Sequence, residues 1–171
     1  MHGDILRPVL DDQVDALHAV AERDGDLDLD RVAIRGWSFS GHLAAAAVLH
    51  RPETFHAAVA GAPVTDQRMY DARWKERFAG QLADQPAGYR ESSLLPYAAN
   101  LSRPLLLVHG LLDTNVWSLH TLRLSAALTA AGKPHSTLLL PGQGHRPSDE
   151  DLVANLPHLE LAFLRQALSL G

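Results

Sequence analysis

The run Pro104-Leu-Leu-Leu-Val108 is continuous and apolar, which is how a strand reads when both of its faces are covered. Such a strand belongs inside a sheet with helices on both sides, and the rest of the chain supplies the parts. Asp11 to Arg23 sets Val14, Leu17, Val20 and Ala21 at helical spacing, with Asp11 or Asp12 as N-cap. An acidic, turn-like stretch from Asp24 to Asp30 leads into a short strand at Arg31–Arg35. From Ser40, the run Gly41 to His50 is rich in good helix formers and closes before Pro52. His56–Ala60 reads as a strand and Thr121–Ala131 as a helix stopped by Gly132 and Pro134. Ser136–Leu140 reads as a further strand, and Leu152–Leu170 as a terminal helix with Pro157 near its start. Thr65 to Asn100, rich in aromatics and carrying Pro86 and Pro96, fits short helices and loops. Strands alternating with helices predict an α/β fold, a three-layer parallel sheet, in a single domain spanning residues 1–171.

Composition narrows the function classes. At 46% hydrophobic and 20% charged the chain reads as a globular protein, long enough to bury a real core. The net charge of −5, with no Lys or Arg run that could track phosphates, argues against nucleic acid as a partner. There is no Cys, so thiol nucleophiles, disulfides and Cys-based zinc sites are excluded. The start, MHGDILRPVLDD, lacks the apolar core of a signal peptide and no stretch approaches a membrane span, so the expected location is the cytoplasm, with no membrane partner. His42, His50 and His56 lack metal-ligand spacing, and the acids from Asp24 to Asp30 lack the Gly and closing Glu of a calcium loop. No metal and no cofactor are expected.

The chemistry gathers at strand ends. Gly36-Trp37-Ser38-Phe39-Ser40-Gly41 lies between a strand and a helix, where a nucleophile elbow holds a serine Oγ exposed on a strained turn. The usual pattern is Gly-x-Ser-x-Gly; Ser40 stands at the last position, where helix and strand approach closely, so strain is expected there. Asp113 follows the strand ending Val108-His109-Gly110, and His145 follows the strand ending at Leu140. The order serine, acid, histidine is that of α/β hydrolases, and open α/β sheets place ligands at the carboxyl ends of their strands. A serine hydroxyl attacks poorly until a histidine takes its proton, and the histidine needs a carboxylate to hold its tautomer. Ser38 is thus the expected nucleophile, His145 the general base, Asp113 the orienting acid, and the Phe39 N–H an oxyanion donor.

These segments resemble the catalytic domain of the prolyl oligopeptidase family of serine peptidases. Gly36-Trp37-Ser38-Phe39 resembles that family's Gly-Trp-Ser-Tyr elbow. Ala62-Pro63-Val64-Thr65 and Lys75 to Gly80 resemble the segment after its next strand, and His109 to Val116 its acid loop. The resemblance implies hydrolysis of short peptides or small esters, with Phe39, Val64, Tyr70, Trp74 and Val116 lining a hydrophobic pocket and Asn115 holding a substrate carbonyl. Gln67 stands where that lining would carry an aromatic, which argues against strict proline preference.

The resemblance further implies that this chain is the C-terminal part of the catalytic domain, without the preceding half-sheet and β-propeller. The half-sheet would supply a second oxyanion donor, whose loss lowers rate by about 10²–10³-fold. It would also cover the edge of the Arg31–Arg35 strand, so a homo-oligomer formed through that edge is expected. The alternative from a different class is a weak or inactive hydrolase domain that serves as a binding or interaction module.

Overall fold

A computed structural model describes residues 3–170 of the chain. Its elements are α1 (Arg7–Arg23), β1 (Ala33–Trp37), α2 (Phe39–His50), β2 (Ala57–Gly61), α3 (Ala72–Ala79), α4 (Pro86–Glu91), β3 (Leu105–Gly110), α5 (Leu119–Ala130), β4 (Ser136–Leu140) and α6 (Glu150–Ala167), with short 3₁₀ turns between. The four strands form one sheet in the order β1-β2-β3-β4, every pair parallel. The fold is α/β, as expected.

The strand order explains where the helices lie. A sheet that grows in one direction with right-handed crossovers places each crossover on the same face. On that face α1, α2, α5 and the 3₁₀ turn Leu95–Asn100 pack against Ala58, Ala60, Leu105 and Leu107. α6 follows the last strand and covers the opposite face, where Leu152, Leu156, Phe163 and Leu164 meet Val59, Leu106, Val108 and Leu140. β3 is buried along its whole length, which accounts for its unbroken apolar run. Arg35 of β1 donates at 2.6 Å to Glu160 of α6, pinning the two together.

α2 is the central helix. Gly41 to Leu49 are all buried, so the helix is apolar all round instead of amphipathic, as a helix enclosed by its neighbours must be. Its run Ala44 to Ala47 keeps the side chains short enough to lie close on the sheet.

Several boundaries differ from the sequence reading. α1 starts at Arg7, not at Asp11: the Asp4 carboxylate accepts from the Leu6 and Arg7 amides, and Pro8 occupies the first turn, where its missing N–H costs nothing. β1 starts at Ala33, because Asp28 accepts from the Asp30 amide and turns Leu29–Arg31 into a 3₁₀ segment. Pro157 lies inside α6, whose N-cap is Asp149. The close approach does fall at Ser40, but Gly36 of β1 makes the room for it, so Ser40 keeps ordinary backbone angles and an exposed side chain, and a second close approach falls at Gly41. A Cβ on Gly36 would overlap the Ser40 carbonyl, and one on Gly41 would overlap the Gly61 carbonyl.

Gly41→Ala is therefore expected to lower stability by about 1–3 kcal/mol in urea unfolding. Ser40→Ala, at the exposed neighbour, should stay within about 0.5 kcal/mol. Equal effects at the two positions would place the tight contact elsewhere.

Candidate active site

β1 ends at Trp37 and α2 begins at Phe39, so Ser38 alone makes the turn. Its backbone sits at φ 62° and ψ −121°, a region that residues with a Cβ seldom occupy. The neighbours over-determine it. The Ser38 amide donates to the Gly61 carbonyl at 2.8 Å, and the Ser38 carbonyl accepts from the His42 amide at 3.0 Å. Removing side-chain bulk at Gly36 and Gly41 lets strand and helix close around the turn. The result projects the Ser38 Oγ out at the carboxyl end of the sheet.

His145 arrives from the loop after β4. Its Nε2 lies 3.1 Å from the Ser38 Oγ, and its Nδ1 lies 2.7 Å from Oδ2 of Asp113. The loop is tied down from β1, since the Trp37 indole N–H donates to the His145 carbonyl at 2.7 Å. The Trp37 ring in turn lies on Gly61, where a Cβ would collide with it.

Asp113 comes from the loop after β3, and its side chain is fully buried. A buried carboxylate needs donors, and it has them: the Asn115 and Val116 amides both reach Oδ1 at 2.9 Å. Trp37, with its bond to the His145 loop, is a site residue the sequence reading did not assign a role, although it stands inside the quoted hexapeptide. Phe39 occupies the first position of α2, where backbone N–H groups lack intrahelical acceptors and carry the positive end of the helix dipole.

The other expected residues divide into two groups. Tyr70, Trp74 and Phe39 form a half-buried aromatic wall that continues to Phe78; successive ring centroids along it are 5.1–5.8 Å apart. Ile5, Phe39, Trp74 and Phe78 bound a small apolar hollow, and neither Ile5 nor Phe78 was anticipated. The Tyr70 hydroxyl donates to Oδ1 of Asn115 at 3.1 Å, leaving the Asn115 amide NH₂ to donate elsewhere. Val64 and Val116 are buried, at 2% and 0% exposure. Gln67 is fully buried too, and neither end of its amide has a hydrogen-bond partner among the described residues. On the α6 side, a cleft of about 680 Å³ opens between Trp37, Ser38, His145, Arg146, Val153, Leu156 and Pro157. Among the described residues no cluster of His, Asp and Glu could hold a metal ion, and no helix is long and apolar enough to cross a membrane.

A parallel α/β sheet with a serine on a strained strand-to-helix turn, in contact with a histidine and a buried carboxylate from later strand ends, has the architecture of a hydrolase fold. A model of the prolyl oligopeptidase family matches residues 5–171, and the chain belongs to that family. It is 42% identical over 139 residues to human dipeptidyl peptidase 8, covering 80% of this chain and 16% of that protein. It is 30% identical over 169 residues to pig dipeptidyl peptidase 4, covering 94% of this chain and 21% of that protein. The crystal structure of Porphyromonas gingivalis dipeptidyl peptidase 4 superposes with a TM-score of 0.91 at 30% identity, over 98% of this chain and 24% of that one. The chain thus spans about a fifth of the length of these relatives.

Two histidines beside the site set a pH limit on the fold. His42 of α2 stacks on Phe39 with ring centroids 5.9 Å apart, and burial pushes its pKa down to about 4. Burial likewise takes His120 of α5 down to about 4; its Nδ1 accepts from the Thr65 amide. Both are neutral in the fold, while in the unfolded chain they titrate near 6.5. Below that value the unfolded chain binds more protons, so the stability present at neutral pH is lost as pH falls from about 6.5 through about 4. The loss is on the order of 3 kcal/mol per histidine. Urea midpoints measured from about pH 7 to about pH 4.5 should fall accordingly, and His42→Phe should flatten the fall. An unaltered pH dependence in that variant would take His42 out of the account.

Proposed function

We propose that this chain is a serine hydrolase that cleaves short peptides or small esters through an acyl-enzyme on Ser38. The observation that carries the reading is the continuous contact from the Ser38 Oγ through His145 to Asp113. Oδ2 of Asp113 accepts from His145 Nδ1–H, which leaves Nε2 as the lone-pair nitrogen facing the serine. As Ser38 attacks a carbonyl carbon, its proton passes to Nε2 and the carbonyl becomes an oxyanion, stabilised by the Phe39 N–H. Collapse breaks the bond to the leaving group, which takes the proton back from His145. Water then attacks the acyl-enzyme by the same route, releasing the acid and restoring Ser38.

The aromatic wall of Phe39, Tyr70 and Trp74, backed by Val64 and Val116, suits a small apolar acyl group or residue, and Asn115 can donate to a substrate carbonyl. The similar proteins are named dipeptidyl peptidases, which favours peptides as the substrate of the longer protein. A fluorophosphonate probe should label Ser38, and Ser38→Ala should abolish labelling. On p-nitrophenyl acetate and an aminoacyl-p-nitroanilide, Asp113→Asn should fall by roughly 10⁴-fold in kcat while remaining folded at reduced stability. A folded chain that the probe never labels is instead the binding or interaction module of the second reading.

The β1 edge favours association. β1 pairs with β2 alone among the described residues, so its other side presents backbone N–H and C=O groups along a strand next to the nucleophile. We infer that this edge pairs with a strand of another copy in the isolated chain. Light scattering should return a dimer or larger species, and Ala33→Pro, which removes a donor that faces away from β2 and leaves the β1–β2 ladder intact, should shift it toward monomer. A monodisperse wild-type monomer at working concentration would falsify the association.

A further inference from the structure

His109, at the end of β3, is fully buried and four residues from Asp113, yet the reading above gives it no task. Its Nε2 faces two acceptors and no donor: the Val116 carbonyl at 2.8 Å and Oδ2 of Asp113 at 3.3 Å. An oxygen of either kind can only accept here, so Nε2 must carry the hydrogen. Burial holds the His109 pKa below its ordinary value, so the ring is neutral and has only that one N–H. Nδ1 is then the lone-pair nitrogen, and the Thr121 hydroxyl, 2.6 Å away on the first turn of α5, must donate to it. The hydrogen-bond directions are thereby fixed from Thr121 to His109 to the Val116 carbonyl, with Oδ2 of Asp113 beside the same N–H. The ionisable groups facing His109 are Asp113 and His145 on the site side and His120 on α5.

We propose that Thr121 and His109 form a positioning pair that aims the Asp113 carboxylate at His145. The claim rests on the reading of Asp113 as the orienting acid. Oδ1 is held by two backbone amides, whereas Oδ2, the oxygen that meets His145, has the His109 Nε2–H as its other polar neighbour, 3.3 Å away. His109 also grips the Val116 carbonyl, closing the acid loop from below. Thr121 keeps the imidazole in the tautomer that can do both. In the other tautomer, a lone pair on Nε2 would face two oxygens and repel the carboxylate from its place. Thr121 is thus a residue through which α5 acts on a hydrogen bond it does not touch.

Two variants of the full 171-residue chain test this, because Thr121→Val keeps the shape and removes only the donor, and Thr121→Ser restores it. Nitrogen NMR of the wild-type ring should show a protonated, pyrrole-like Nε2 and a pyridine-like Nδ1 on His109. The low-field Nδ1 proton of His145 should be present in wild type, weakened in Thr121→Val and regained in Thr121→Ser. With an aminoacyl-p-nitroanilide, Thr121→Val should lose about tenfold in kcat with KM within about twofold, and Thr121→Ser should recover it. A His109 protonated on Nδ1 overturns the proposal. So does a Thr121→Val variant whose low-field proton and kcat match wild type, or one whose KM rises as kcat falls, since a loop that merely loosened would displace Asn115 and Val116 as well. If wild type shows the low-field proton but never reacts with a fluorophosphonate, the hydrolase reading fails and the positioning pair stands.

Discussion

Everything at this site depends on one residue being held where its backbone would not go unaided. The φ of 62° at Ser38 is a conformation that a free serine avoids, at a cost of order 1–3 kcal/mol. It persists because strand, helix and the next strand close on it together. The Gly61 carbonyl takes its amide, the His42 amide takes its carbonyl, and the missing side chains of Gly36 and Gly41 allow the approach. The same Gly61 is the floor for Trp37, which holds the His145 loop by its carbonyl. The turn that presents the serine and the anchor that presents the histidine thus share a glycine, and strain at one is supported by packing at the other.

What the sequence made legible was whatever rests on local pattern. The apolar run of β3, the helix-forming run of α2, and the order of Ser38, Asp113 and His145 at strand ends all follow from residue type and spacing, and the structure brings those three side chains into contact. The misread positions share a different property. Asp4 caps α1 from outside the periodic stretch, ahead of the more conspicuous Asp11 and Asp12. The motif places the close approach at Ser40 correctly, but the strain expected there is relieved by Gly36 across from it, and a second approach, toward β2, falls on Gly41, which spacing along the motif does not reveal. His109 was quoted in the acid loop without a role, because its role comes from Thr121 and Val116, which reach it only in the folded chain.

The two sides of Ser38 are built differently. Toward Asp113 the groups are buried and their hydrogen bonds are saturated, so geometry there is fixed before a substrate arrives. Toward Tyr70 and Trp74 the rings are half-buried and meet edge-on or tilted, with one hydrogen bond, Tyr70 to Asn115, crossing the wall. The amide of Gln67 is buried without a hydrogen-bond partner among the described residues.

Burial of Asp113 also decides how substitutions there will behave. A carboxylate removed from water is tolerable only while its oxygens are met by donors, and here the donors are two backbone amides and His145, with the His109 N–H 3.3 Å from Oδ2. Asparagine at this position can keep the backbone amides satisfied with its own oxygen. Its NH₂ must then face the N–H of His109 and the Nδ1 of His145. To accommodate the NH₂, His145 would have to turn its lone pair toward Asp113 and its hydrogen toward Ser38, the wrong tautomer for a base. The N–H of His109, kept in place by the Val116 carbonyl, would face that donor across the site. The acid side is therefore constrained from both directions: one neighbour sets the chemistry that would be lost, the other sets the stability that would be lost with it.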